Sequence, residues 1–147
     1  MKKATLTIIL ILVLTLSLQA AELNPSAQVL KENMTAGYIV IKSIAILEWP
    51  NDPSMQLFEI NKQCEAAFDL FLIAGDFEKV DVDLYFAALQ KWSYDNSADE
   101  NFNHMVEWFN TMMKDDPSIL STFFEMPVDW NMMKYEYEKQ LKAKAAF

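Results

Sequence analysis

Few residues in this chain have the types and spacing that chemistry requires. There is one His and one Cys among the 147 residues. His104 stands with Glu100 and Glu107 at helical spacing, so one imidazole and two carboxylates could in principle face a metal ion. A zinc centre needs a further His, Cys or facing helix, and the sequence offers none, so this group reads as a solvated helix face. Asp95-Asn96-Ser97-Ala98-Asp99-Glu100 begins like a calcium loop, with acids at its first and fifth positions, but has Glu100 where such a loop needs Gly and Val106 where it needs Glu. Asp76, Glu78, Asp81 and Asp83 supply carboxylates without that geometry. A glycosidase-like acid pair would need one carboxyl in an apolar cleft, and no pair is marked out for it. Ser/His/Asp hydrolysis would need His104 as its base, and no Gly-x-Ser-x-Gly elbow is present for it to serve. The expectation is a protein that is not an enzyme and holds neither a metal nor a cofactor.

Composition closes further routes. The chain contains two isolated Gly and no Arg, its twelve basic residues all being Lys. Phosphate cradles use closely spaced glycines, and bidentate anion recognition uses guanidinium groups, so nucleotide and nucleic-acid binding are not expected. Nine Met, with pairs at Met112-Met113 and Met132-Met133, could bind copper through thioethers. They fall on helical core stripes, where packing accounts for them. Cys64 lies on the stripe Leu57, Ile60, Cys64, Ala67, Phe68, Phe71 and is expected to be buried and inert, with an intermolecular disulfide as the alternative.

The elements that position these residues are helical. Asn24-Pro25-Ser26, Asp52-Pro53-Ser54 and Asp116-Pro117-Ser118 repeat one device, an Asx cap followed by Pro at the first helical position, where its missing N–H costs nothing. The residues after them do not align, so the device is not an internal repeat. Apolar spacing then predicts helices over roughly 25–48, 53–74 (ended by Gly75) and 117–125. Another starts near Val82 behind Asp81 and carries Tyr85, Phe86, Leu89 and Trp92 on one side. Ser97-Ala98-Asp99-Glu100 forms a capping box opening a helix that ends before Pro117, and a last helix starts near Trp130. Tyr38-Ile39-Val40-Ile41 is β-branched enough to leave a strand open there. As a helix, with Tyr38 to Ile41 and Ile44 to Leu47 apolar on nearly every side, it is expected to be buried all round, as the central helix or a dimer contact. The fold expected is all-α, a compact single-domain bundle of about five to six helices.

Ahead of this body stands Met1-Lys2-Lys3, then an apolar run ending in Gln19-Ala20-Ala21. The basic start, short apolar stretch and small-residue end predict a secretory signal peptide over 1–20, cleaved after Ala20, followed by a domain over 21–147. The residue directly after the cut is Ala21 and not Cys, so lipid attachment there is not expected. A periplasmic protein without stable membrane insertion is expected.

The net charge is -9, and loss of residues 1–20, with two Lys and no acid, makes it -11. From Ala45 to Met133 there are 17 acids against four Lys, a net of -13, whereas the tail from Lys134 carries +2. Such a surface steers association with a basic partner. Trp49-Pro50 in a turn and Trp108 at the edge of its helix stripe add exposed aromatics beside carboxylates, the composition of a protein-binding hot spot. The candidate interface is Trp49, Asp52, Asp95, Asp99, Glu100, Glu107 and Trp108.

A signal peptide, a small acidic helical body, no catalytic set and surface aromatics among carboxylates together resemble the periplasmic immunity proteins that protect bacteria from cell-wall-cleaving effectors of type VI secretion. The resemblance covers the whole chain in layout and rests on no diagnostic motif. It implies inhibition of a cognate hydrolase, with a homodimer as an option, and assigns no individual residue. The other classes compatible with the sequence are a periplasmic carrier of an apolar ligand and a structural or chaperone-like helical protein. A closed apolar cavity without the Trp and acid patch would mark the carrier.

Overall fold

The computed structural model describes residues 22–76, 79–94, 107, 111, 122 and 124–146. Of these, 78% are helical, in five helices: α1 Pro25–Asn33, α2 Thr35–Glu48, α3 Pro53–Gly75, α4 Val82–Trp92 and α5 Trp130–Ala145. The fold is all-α. Glu107, Thr111 and Thr122 are also helical, while the rest of the expected helices over 97–116 and 117–125 lies outside the described residues. No strand occurs among the described residues. The one pairing they show is an antiparallel bridge between Ser93 and Val128, carried by Tyr94 N–H to the Pro127 carbonyl (2.8 Å) and Asp129 N–H to the Trp92 carbonyl (3.0 Å).

Helix starts follow the cap chemistry. The carboxyl or carboxamide oxygens of Asn24, Asp52, Asp81 and Asp129 accept from the N–H groups of Ala27, Met55, Leu84 and Met132, satisfying donors that the first turn of a helix leaves unpaired. Pro25 and Pro53 occupy the first turn of α1 and α3. Gly75 ends α3, but without a left-handed conformation: no described residue has positive φ, and Asp76 closes the helix by donating to the Ile73 carbonyl at 3.2 Å.

The helix expected over 25–48 is two helices. Met34, at φ -133° and ψ 53°, breaks it. Side chains compete for the last carbonyls of α1: Asn33 Nδ2 donates to the Val29 carbonyl (3.0 Å) and Thr35 Oγ1 to the Lys31 carbonyl (2.9 Å). Such back-bonding loosens a helix and lets it turn. The turn brings Gly37 onto the backbone of Phe124, where a Cβ would lie 2.6 Å from the Phe124 carbonyl oxygen.

The core lies along α3, which packs against α1, α2 and α5, while α4 packs on α5. Cys64, Ala67, Leu70 and Ala74 of α3 are fully buried. Phe124 stacks on Trp130 at 4.8 Å and meets Phe71 at 5.6 Å; Tyr85 meets Tyr137 edge-on at 5.8 Å. Each such aromatic contributes about 3–5 kcal/mol, as judged by truncation to Ala. The expectation that residues Tyr38 to Leu47 are buried all round is corrected. Tyr38, Ile41 and Ala45 are buried against the core, but Ile39, Ile46 and Leu47 are 54%, 41% and 80% exposed. The bundle places α3, not α2, at its centre, because α3 packs against α1, α2 and α5, whereas α2 packs against α1 and α3 and leaves Ile39, Ile46 and Leu47 uncovered.

Candidate interaction surface

Trp49 is the residue after α2, and its surroundings fix it. Its N–H donates to the Ala45 carbonyl (3.0 Å), and its own carbonyl accepts from Gln56 Nε2 (2.7 Å) and from Asp52 N–H (3.2 Å). Asp52 Oδ1 takes Met55 N–H at 3.0 Å. The connection Trp49-Pro50-Asn51-Asp52 is therefore locked at both ends, and its indole stays 39% exposed. An aromatic side chain whose backbone is already ordered loses little entropy on binding.

Three acids that were not singled out in the sequence gather around Tyr94, and one of them, Glu48, adjoins this turn. Tyr94, itself half exposed, donates its hydroxyl to Glu48 Oε1 at 3.2 Å, joining the end of α2 to the segment after α4. Burial of its hydroxyl end, followed by the negative charges of Asp129, Glu48 and Glu59, holds that hydroxyl well above the ordinary phenol range, so it remains a donor at any working pH. Buried Gln63 holds two of those acids: its Nε2 donates to Glu59 Oε1 (2.7 Å) and Asp129 Oδ1 (3.1 Å), and its Oε1 accepts from the N–H groups of Trp130 (2.8 Å) and Asn131 (3.3 Å). One side chain thus pins the start of α5 to α3 and leaves Glu48, Glu59 and Asp129 arrayed around Tyr94. Tyr94 and Glu48 are 46 positions apart, and Gln63 is 66 to 68 from Asp129, Trp130 and Asn131, which hides this group from any local motif.

Of the residues proposed from the sequence, Trp49 and Asp52 share the turn just described, and Glu107 is exposed on a helix, where its carbonyl accepts from Thr111 Oγ1 at 2.8 Å. Asp95, Asp99, Glu100 and Trp108 lie outside the described residues, as does His104. Among the described residues no group of three or more His, Cys, Asp or Glu is placed to hold a metal ion.

Cys64 is fully buried and free, and burial pushes its thiol up to about 12. A disulfide to another chain through this residue is incompatible with that burial, which corrects the alternative left open above. Two grooves are described, one of about 430 Å³ at Glu22, Leu23, Gln28, Lys31 and Glu32, the other of about 310 Å³ at Lys79, Val80, Asp81, Leu141, Lys144 and Ala145. Both are open, the first lined mainly by charged or polar side chains and the second by three charged and three apolar ones, unlike a closed apolar ligand cavity. No described helix is long and apolar enough to cross a membrane.

The chain was compared with family models, curated proteins and solved structures, and no match was found in any of the three.

Proposed function

We propose that this is an exported protein-binding inhibitor, of the kind that blocks a cognate cell-wall hydrolase and so acts as an immunity protein. The observation that carries the reading is Trp49, held half exposed in a hydrogen-bonded turn between Glu48 and Asp52. Rigid aromatic anchors ringed by carboxylates suit a basic protein partner: the indole supplies buried apolar area, and the acids speed encounter. The net of -13 over residues 45–133 gives the long-range field for that encounter. Export rests on the basic start, the apolar run and Ala20 at the N-terminus.

The test is surface-immobilised binding to the hydrolase encoded beside this gene, at low and high salt. Association should be fast and should slow steeply as salt rises. Trp49→Ala should weaken binding by about 2 kcal/mol, while Asp52→Asn should cost well under that. Association independent of salt, together with full affinity for Trp49→Ala, overturns the reading and leaves the acids as a solubility feature. Export is tested separately by the intact mass of the periplasmic protein, which should lack residues 1–20.

A further inference from the structure

The residues just before α1 are tied to α3 through Asn61. Its Oδ1 accepts from Asn24 N–H (2.8 Å), its carbonyl accepts from Asn24 Nδ2 (3.0 Å), and its Nδ2 donates to the Glu22 carbonyl (3.0 Å). Gln28 Nε2 donates to the Leu23 carbonyl at 3.0 Å, and the Leu23 side chain packs against the core. Asn24 Oδ1 accepts from Ala27 N–H at the same time, so the segment held on α3 also caps α1. The cut expected from the sequence, between Ala20 and Ala21, lies two residues before the first carbonyl held in this way, that of Glu22. Two residues of extended chain reach at most about 7 Å.

We propose that the Asn61 clamp and removal of residues 1–20 exclude each other, so that water must split the Ala20–Ala21 bond, leaving the Ala20 carboxylate and the Ala21 ammonium, before α1 docks on α3. The inference rests on the export reading above. A peptidase takes up its substrate as an extended strand and pairs with the backbone N–H and C=O groups on either side of the bond. Downstream of this bond those groups belong to Ala21, Glu22 and Leu23, and the carbonyls of Glu22 and Leu23 are already engaged by Asn61 and Gln28. Once the clamp has closed, the bond is reached only when residues 22–24 lift from α3, and cleavage then follows the population of that opened state. Lifting them withdraws Leu23 from the core and parts Asn24 from Asn61, so opening is costly in the folded protein. The clamp therefore orders two events: processing comes first and docking of α1 second, and a chain that folds early keeps its apolar leader.

The test is the rate at which purified signal peptidase removes residues 1–20 from the full chain in detergent micelles, followed by intact mass. Leu70→Asp, a charge at a fully buried position, should keep the chain unfolded with the cut site unaltered, and sets the unhindered rate. The folded parent should be cut at least about tenfold more slowly. Inserting Gly-Ser-Gly-Ser between Ala21 and Glu22 moves the bond up to about 13 Å further from the clamp without touching it, and should restore most of the unhindered rate with unchanged helicity. Asn61→Asp, which keeps the acceptor for Asn24 N–H and loses the donor to the Glu22 carbonyl, should fall between the parent and the insert. Equal rates for the folded parent and Leu70→Asp, or an insert cut as slowly as the parent, overturn the proposal and leave export standing. No cut after Ala20 in any chain, Leu70→Asp included, overturns the export reading and this inference with it.

Discussion

Replacing Gly37 by Ala adds one methyl group at a point where the structure has no room for it. The new Cβ would stand 2.6 Å from the Phe124 carbonyl oxygen, 3.0 Å from its carbonyl carbon and 3.0 Å from its Cβ. Two of these three atoms are backbone, so no side-chain rotation relieves the overlap; either α2 or the Phe124 segment has to move by more than half an ångström. Phe124 stacks on Trp130 and packs on Phe71, and displacement loosens both contacts. Overpacking of this kind costs typically about 1–3 kcal/mol. Against it stands the better helix propensity of Ala, about 1 kcal/mol in a helix interior. Because the two nearest atoms are backbone and cannot rotate away, the cost lies at the upper end of that range, about 2–3 kcal/mol, and the net destabilisation should be about 1–2 kcal/mol. At roughly 4 °C per kcal/mol for a domain of this size, the melting temperature should fall by about 4–8 °C. Gly75→Ala is the internal control: nothing lies within 4 Å of its added Cβ, and its φ is not positive, so it should raise stability by up to about 1 kcal/mol. Thermal unfolding followed by circular dichroism on the parent and both variants is the assay. A Gly37→Ala variant as stable as the parent, or two variants shifted in the same direction, refutes the close approach of α2 to Phe124.

Gln63→Leu keeps the volume but strands four groups that Gln63 now satisfies, among them the N–H groups of Trp130 and Asn131, and should cost about 2–4 kcal/mol in urea unfolding. The carboxyl of Asp81 is held below the ordinary range, first by the hydrogen bond from Lys144 at 2.5 Å and then by Leu84 N–H, so its stabilisation is complete above the unfolded value of 3.8 and is lost as pH falls through the lower folded value; Asp81→Asn should flatten that acid limb in urea titrations between pH 2 and about 6. Cys64, with its thiol raised to about 12, should resist alkylation at about pH 8 in the native protein and react fully in denaturant, as read by mass spectrometry. Trp49→Ala should leave helicity unchanged while weakening partner binding about 30-fold, the equivalent of about 2 kcal/mol.

The helix starts were legible along the chain, because capping is local chemistry: Asn24, Asp52 and Asp81 each cap a helix whose apolar spacing begins directly after them. The burial of Cys64 was legible for the same reason, since it sits on the stripe that α3 turns to the core. The break at Met34 was not, because Asn33 and Thr35 compete for backbone carbonyls in many unbroken helices, and here Gly37 also had to reach Phe124, 87 positions away. Periodicity could not tell that the apolar face of α2 around Leu47 stays uncovered, since composition records how much apolar surface a helix has and not whether another helix arrives to cover it. The acids around Tyr94 belong to the same class. Glu48, Glu59 and Asp129 are unremarkable where they stand in the chain, and only the packing of α5 on α3 through Gln63 brings their charges onto one hydroxyl. Local hydrogen bonds and apolar spacing act over a few residues and are written in the sequence, whereas the surface on which partners would meet this protein depends on contacts between distant segments and exists only once the helices have packed.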